Sequence, residues 1–122
     1  MPNPVVHFEI MATENVEGLR AFYADVFGWK MNADNPMDYA LVDTGGQGIR
    51  GGIGRPMHGP GYATFYVAVD DLGDALRRIG AKGGQTIMPP TDIPGDEVSI
   101  AMFRDPAGNL IGLVKMGESP QA

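Results

Sequence analysis

An internal repeat constrains this chain more than any other feature. HFEIMATENVEGLRAFYADVFGWKM and TFYVAVDDLGDALRRIGAKGGQTI follow one plan. Each opens on an alternating stretch, passes acidic or Asn residues, and enters a segment with helical apolar spacing. In the first copy Val5 to Ile10 alternates, and Thr13, Glu14 or Asn15 is placed to cap a helix. Leu19, Phe22, Tyr23 and Val26 then recur at i, i+3, i+4 and i+7 until Gly28. In the second copy Ala63 to Val69 is the strand and Asp70 or Asp71 the cap. Leu72, Ala75, Leu76 and Ile79 repeat the spacing before Gly80.

Shorter strand-like pieces follow each helix. They are Lys30–Asn32, Tyr39–Thr44 and Gly48–Ile53, then Gln85–Met88, Val98–Arg104 and Leu110–Lys115. Asp105-Pro106-Ala107-Gly108 is a turn before the last of them. The order β-α-β-β-β therefore occurs twice, in modules of about 5–54 and 61–116, joined by Arg55–Gly61. The predicted class is α+β, one domain over residues 1–122. A single copy is too short to bury its own sheet, so two must share a core or cleft.

Composition removes several function classes. No cysteine is present, so disulfide frameworks, thiolate zinc sites and cysteine nucleophiles are excluded. Nine basic against fifteen acidic side chains give a net charge of −6, which repels a phosphate backbone. Nucleic acid is not an expected partner. MPNPVVHFEI lacks the basic start and apolar core of a signal peptide, and no run approaches the ~20 apolar residues of a membrane span. A cytoplasmic protein without a membrane partner is expected. The eighteen glycines and ten prolines cluster between periodic segments, as punctuation of a folded chain.

Alternation orients the faces. Val6, Phe8 and Ile10 suit a helix-facing side of the first strand, leaving Val5, His7 and Glu9 opposite. Phe65, Val67 and Val69 face the helix in the fifth strand, leaving Thr64, Tyr66 and Ala68. In the last strand Leu110, Gly112 and Val114 oppose Ile111 and Leu113. The opposite faces thus collect His7, Glu9, Thr64, Tyr66, Leu110 and Gly112, a mostly apolar lining with a few polar groups. Phe103 or Met102 completes the wall, and Phe103 is the candidate lining residue of the two. His7 beside Glu9 also suits a plain pair on a solvated face. If the face is enclosed, the two are candidates for acid–base chemistry. Trp29 is expected in the core or at a subunit interface. Gly46 to Gly51 matches G-x-G-x-x-G, but GIGRPMHGPG cannot continue as a helix, so the match is chance. Arg50 and Arg55 are left as surface cations able to meet an anion.

The paired βαβββ plan with HFEI, FYADVFGW, YVAVDDLGDAL and FRDPAGNLIGL resembles the vicinal oxygen chelate superfamily. That group contains glyoxalase I, bleomycin-resistance proteins and extradiol dioxygenases, and the resemblance spans about residues 5 to 116. It implies two modules whose mixed sheet curls around a cavity, often in a homodimer, with a divalent metal held by residues of each module's first and last strands. Carried over residue by residue, the first-strand positions fall on His7 and Thr64. The last-strand positions fall on Gly51 or Gly52 and on Gly112. One ligand of that set remains, and catalytic metal sites take about three. No cofactor is therefore expected. An improvised site using His7, Glu9, His58 or Glu97 is the weaker alternative. The expected function is binding of a small organic molecule in the sheet cavity without a metal, by a chain that pairs with a second copy. The alternative is a lyase, isomerase or dioxygenase-type enzyme using His7 and Glu9 or an atypical metal. Whether chemistry occurs at all is left open by the residues.

Overall fold

The computed structural model describes residues 2–35, 38–94 and 97–116. The alternating VVHFEIM stretch forms β1 (Val5–Met11), and α1 (Val16–Phe27) follows. Asn15 takes the N-cap position in a left-handed conformation, and its carbonyl accepts from Leu19 N–H at 3.0 Å. Gly28 ends the helix with φ 73°, donating its N–H to the Ala24 carbonyl. A side chain there would be strained, which is why glycine closes so many helices. Then come β2 (Lys30–Asn32), β3 (Ala40–Asp43), β4 (Arg50–Gly54) and β5 (Tyr62–Ala68). The helix α2 (Leu72–Ala81) is capped by Asp71, whose carboxylate accepts from Asp74 N–H at 2.9 Å. β6 (Gln85–Asp92), β7 (Val98–Arg104) and β8 (Leu110–Met116) complete the elements of the described residues. This is the expected α+β class with βαβββ twice. β6 runs four residues past its expected end and carries Pro89 and Pro90, which an edge strand tolerates, and its register on β7 shifts between Met88 and Thr91.

The chain divides into two compact units. One is Val6–Thr64; the other is the N-terminal residues to Val5 together with those from Phe65 onward. The division falls inside β5, beyond the expected linker Arg55–Gly61. The reason is local: Gly61 abuts the Met11 carbonyl, and the Tyr62 hydroxyl is bonded to Glu9. Tyr62–Thr64 therefore belongs with the first module. In the other unit the Ala68 N–H donates to the Pro4 carbonyl at 2.9 Å.

Within the first unit the strand order is β2-β3-β4-β1, and β1 runs parallel to β4 while the other pairs are antiparallel. Val16, Val42 and Ile53 form its core, packed by Phe8, Ile10, Leu19, Tyr23, Trp29 and Met31. Trp29 is a core residue, stacked on Tyr23 at 5.3 Å and 8°. Within the second unit the order is β5-β8-β7-β6, again with one parallel pair, β5 with β8. Leu72, Ala101 and Leu113 form its core with Val67, Val69, Ala75, Leu76 and Ile79. All four expected apolar positions of α2 are used. On α1 only Leu19 and Tyr23 are, because Phe22 and Val26 are each 55% exposed. Val6 and Phe65, expected against the helices, also lie partly in solvent. Among the described residues no helix is long and apolar enough to cross a membrane.

Candidate functional site

Glu9 lies in the middle of β1 and is the one buried charged residue among those described, with 7% of its surface exposed. Burying a carboxylate without hydrogen bonds costs several kcal/mol, so its partners decide what the position is for. Tyr39 donates its hydroxyl to Oε2 at 2.9 Å, and Tyr62 donates to Oε1 at 3.0 Å. The same Tyr39 oxygen lies 2.9 Å from His7 Nε2. A phenol has one proton, and here it goes to the carboxylate. His7 Nε2 must then carry a hydrogen and donate it to Tyr39, which assigns the tautomer. The chain of bonds reads His7 to Tyr39 to Glu9, with Tyr62 on the far oxygen.

Sequence position explains how these groups meet. His7 and Glu9 are two apart on β1 and share a face. Glu9 pairs in register with Gly52 of β4. A Cβ built on Gly52 would lie 1.9 Å from the ring carbon and hydroxyl of Tyr39, so the missing side chain is the space that the ring fills. The backbone of Tyr39 is gripped by Asn35, whose side chain bonds both its N–H, at 3.1 Å, and its carbonyl, at 2.6 Å. Arg20 reaches from α1 to the Ile53 carbonyl and to Asp38 beside it. The rings of His7 and Tyr39 lie within 19° of parallel, 6.3 Å apart.

Burial lowers the pKa of His7, because desolvation penalises the imidazolium. Tyr62 is pushed far up, first by burial, then by the Glu9 charge and by the hydrogen bond that uses its proton. The site is therefore a carboxylate held by two phenols beside a neutral imidazole. The His7 shift fixes a sign. The unfolded chain takes up a proton at His7 near pH 6.5 while the folded chain resists it, so stability falls as pH drops below about 6.5. In thermal unfolding between pH 8 and 5.5, His7→Gln is expected to flatten that part of the slope. Parallel curves for the two proteins would refute the shift.

The remaining candidates divide. Thr64 is half-buried on β5, two residues beyond Tyr62 on the same face. In the second unit Tyr66, 5% exposed, pairs with Gly112, which pairs with Met102 of β7. A Cβ on Gly112 would meet the Tyr66 ring at 2.5 Å, so this glycine too has a tyrosine ring over it. Leu110 is half-buried at the start of β8. Phe103 is corrected: it packs on the α2 side against Leu72, Ala101 and Leu113. Met102 is 7% exposed and is the strand partner of Gly112. Strand alternation alone does not point to Tyr39 or Tyr62. The doublet Gly51-Gly52 inside a strand was the available signal, since such a position marks a close approach by another group.

The donor set for a metal is poor. Among the described residues no group of three or more His, Asp and Glu side chains comes together. His7 and Glu9 are each engaged with Tyr39, while Thr64 and the last-strand glycines bring no strong ligand. These residues do not fit the divalent ion that the resemblance implies. The G-x-G-x-x-G run is confirmed as chance, since it leads into strand β4.

Comparison with known proteins agrees with the architecture. A putative glyoxylase, CFP32, of Mycobacterium tuberculosis is 30% identical over 112 residues, 84% of this chain and 42% of that protein. A probable chloroplastic lactoylglutathione lyase of Arabidopsis thaliana is 31% identical over 70 residues, 57% of this chain and 20% of that protein. The chain thus spans less than half the length of these curated relatives. Methylmalonyl-CoA epimerase of Mycobacterium tuberculosis superposes with TM-score 0.67 at 18% identity, covering 93% of this chain and 87% of that one. The hypothetical protein BH1468 of Bacillus halodurans gives TM-score 0.69 at 17% identity, covering 98% and 99%. At such identity these structures establish the fold alone. The family model described as glyoxalase/bleomycin resistance protein/dioxygenase superfamily matches residues 5–113, and the chain belongs to that superfamily.

Proposed function

We propose that this protein binds a small organic molecule on the Glu9 face of its first module, without a resident metal. The observation that carries the reading is the buried Glu9 carboxylate, fixed through both oxygens by Tyr39 and Tyr62 beside the half-buried His7. A polar cluster this specific has a cost in desolvation, and small-molecule sites are where such clusters recur. Both Glu9 oxygens already accept a phenol hydrogen bond, so taking a proton from a ligand would first break one of them, which favours binding over proton abstraction. The glyoxalase and lyase names of its relatives make an acid–base enzyme the second reading. The bond chain from His7 through Tyr39 to Glu9 supports it, as a path for a proton.

A fragment library followed by protein NMR tests the binding reading. Hits are expected to shift the amide signals of β1 and β4, and Glu9→Gln is expected to weaken them at least tenfold. A library with no hit on these strands would overturn it. The metal-free part is tested by thermal unfolding with nickel, zinc, manganese and iron(II). A bound ion raises the midpoint through RT ln(1 + [L]/Kd), about 2.7 kcal/mol at a hundredfold excess over Kd. No rise is expected; a rise abolished by His7→Ala would sink the metal-free reading.

A further inference from the structure

Arg50 opens β4 and is the Cα partner of His7, two positions before the Gly52 that partners Glu9. Paired residues share a face, and a strand returns to that face every second residue. Arg50, His7, Glu9 and Gly52 therefore lie on one side of the sheet, and Leu41, the β3 partner of Gly52 and 53% exposed, joins them. Two strand positions are about 6.6 Å and neighbouring strands about 4.8 Å apart, so the Arg50 and Glu9 Cα atoms are about 8 Å apart, a span that a guanidinium and a carboxylate side chain can bridge. They do not form one. The Glu9 oxygens accept from Tyr39 and Tyr62 instead, and Arg50 makes no ion pair or side-chain hydrogen bond with any described residue.

Every other arginine is engaged. Arg20 holds the Ile53 carbonyl and Asp38, and Arg55 holds the Thr13 carbonyl. Arg77 and Arg78 pair with Asp74, and Arg104 bonds the Gly108 carbonyl. Arg50 is thus the single uncommitted guanidinium among the described residues, exposed beside the one buried carboxylate.

We infer that this face is a site for a zwitterion of the α-amino-acid class. The inference rests on the binding reading above and names its ligand. The carboxylate of such a ligand takes the fork of Arg50, which matches it in two parallel hydrogen bonds. The ammonium lies over the rings of His7 and Tyr39, where the ring faces and the Glu9 charge beneath both attract a cation. The apolar part of the ligand rests on Leu41. A zwitterion has no net charge, so the −6 of the protein does not oppose its approach as it opposes a plain anion.

The test titrates L-phenylalanine, phenethylamine and 3-phenylpropionate into the protein at pH 7 and low salt, followed by NMR. L-phenylalanine is expected to bind at least tenfold more tightly than either relative that lacks one charge. Arg50→Met is expected to bring it to the level of phenethylamine, Arg50→Lys to lose less, and Glu9→Gln to bring it to the level of 3-phenylpropionate. Unchanged signals elsewhere in the spectrum check that each variant is folded. Equal affinity for the three ligands, or indifference to Arg50→Met, overturns the inference. If phenethylamine or an uncharged fragment binds through Glu9 and the zwitterion has no advantage, this inference falls and the binding reading stands. If no ligand of any class binds the face, both fall.

Discussion

Gly52→Ala is expected to destabilise the protein by about 1–3 kcal/mol, a large effect for one methyl group. The added Cβ would lie 1.9 Å from the Tyr39 ring and hydroxyl. The ring must leave, and with it go its bonds to Glu9 and His7. A loss of 2 kcal/mol lowers Tm by roughly 8–16 °C in a domain near 100 residues. The sign should change in a Tyr39→Ala background. Gly52 is not among the glycines with positive φ, so alanine fits its backbone and removes freedom from the unfolded chain. There the same substitution should be neutral or stabilising by about 0.4–1 kcal/mol. A double-mutant cycle of unfolding free energies measures the difference. Equal costs in the two backgrounds would show that Gly52 is small for a reason other than Tyr39.

The contrast between Gly52 and Tyr39 also shows where sequence reading works. Alternation placed His7 and Glu9 on one face of β1 because the period of a strand is fixed by its own backbone. Helix spacing and cap residues located α2 and the end of α1 for the same local reason, down to Asp71 and Gly28. What Glu9 touches is set otherwise. Its partners lie 30 and 53 residues away, and no period connects them. The glycine doublet announced a close approach without saying which ring makes it. Phe103 failed for a third reason. Ala101, Met102 and Phe103 are all apolar, so alternation leaves two parities open, and only the pairing of Met102 with Gly112 decides between them. Phe22 and Val26 share the helical spacing of α1 yet lie in solvent, because the apolar stripe of α1 is wider than the surface it covers.

The polar cluster and the loose arginine have a common origin in the parallel pairing of β1 with β4. That register sets a residue without a side chain opposite Glu9 and a long cation opposite His7. The first substitution makes room for Tyr39; the second leaves a charge at the rim of the face. Neither residue is informative alone. Together they bring the Tyr39 ring onto Glu9 and set Arg50 beside it on the same face.

Glu9→Leu is expected to cost about 2–4 kcal/mol, less than two lost hydrogen bonds taken separately would suggest. The reason is an asymmetry between the two phenols. Tyr39 keeps a partner: His7 moves its proton from Nε2 to Nδ1, and the Tyr39 hydroxyl then donates to the bare Nε2 2.9 Å away. Tyr62 has no such neighbour among its bonds, and its half-buried hydroxyl is left without the carboxylate that held it. Most of the cost should therefore reside at Tyr62. Tyr62→Phe alone should cost about 1 kcal/mol and, placed in Glu9→Leu, should return part of the loss. Tyr39→Phe in that background should return nothing, because its hydroxyl is still bonded. Unfolding free energies of the four variants, with the histidine tautomer followed by nitrogen-15 shifts, check each step. Equal rescue by the two phenylalanine substitutions, or an unchanged His7 tautomer, would mean that Tyr39 does not couple the histidine to the carboxylate.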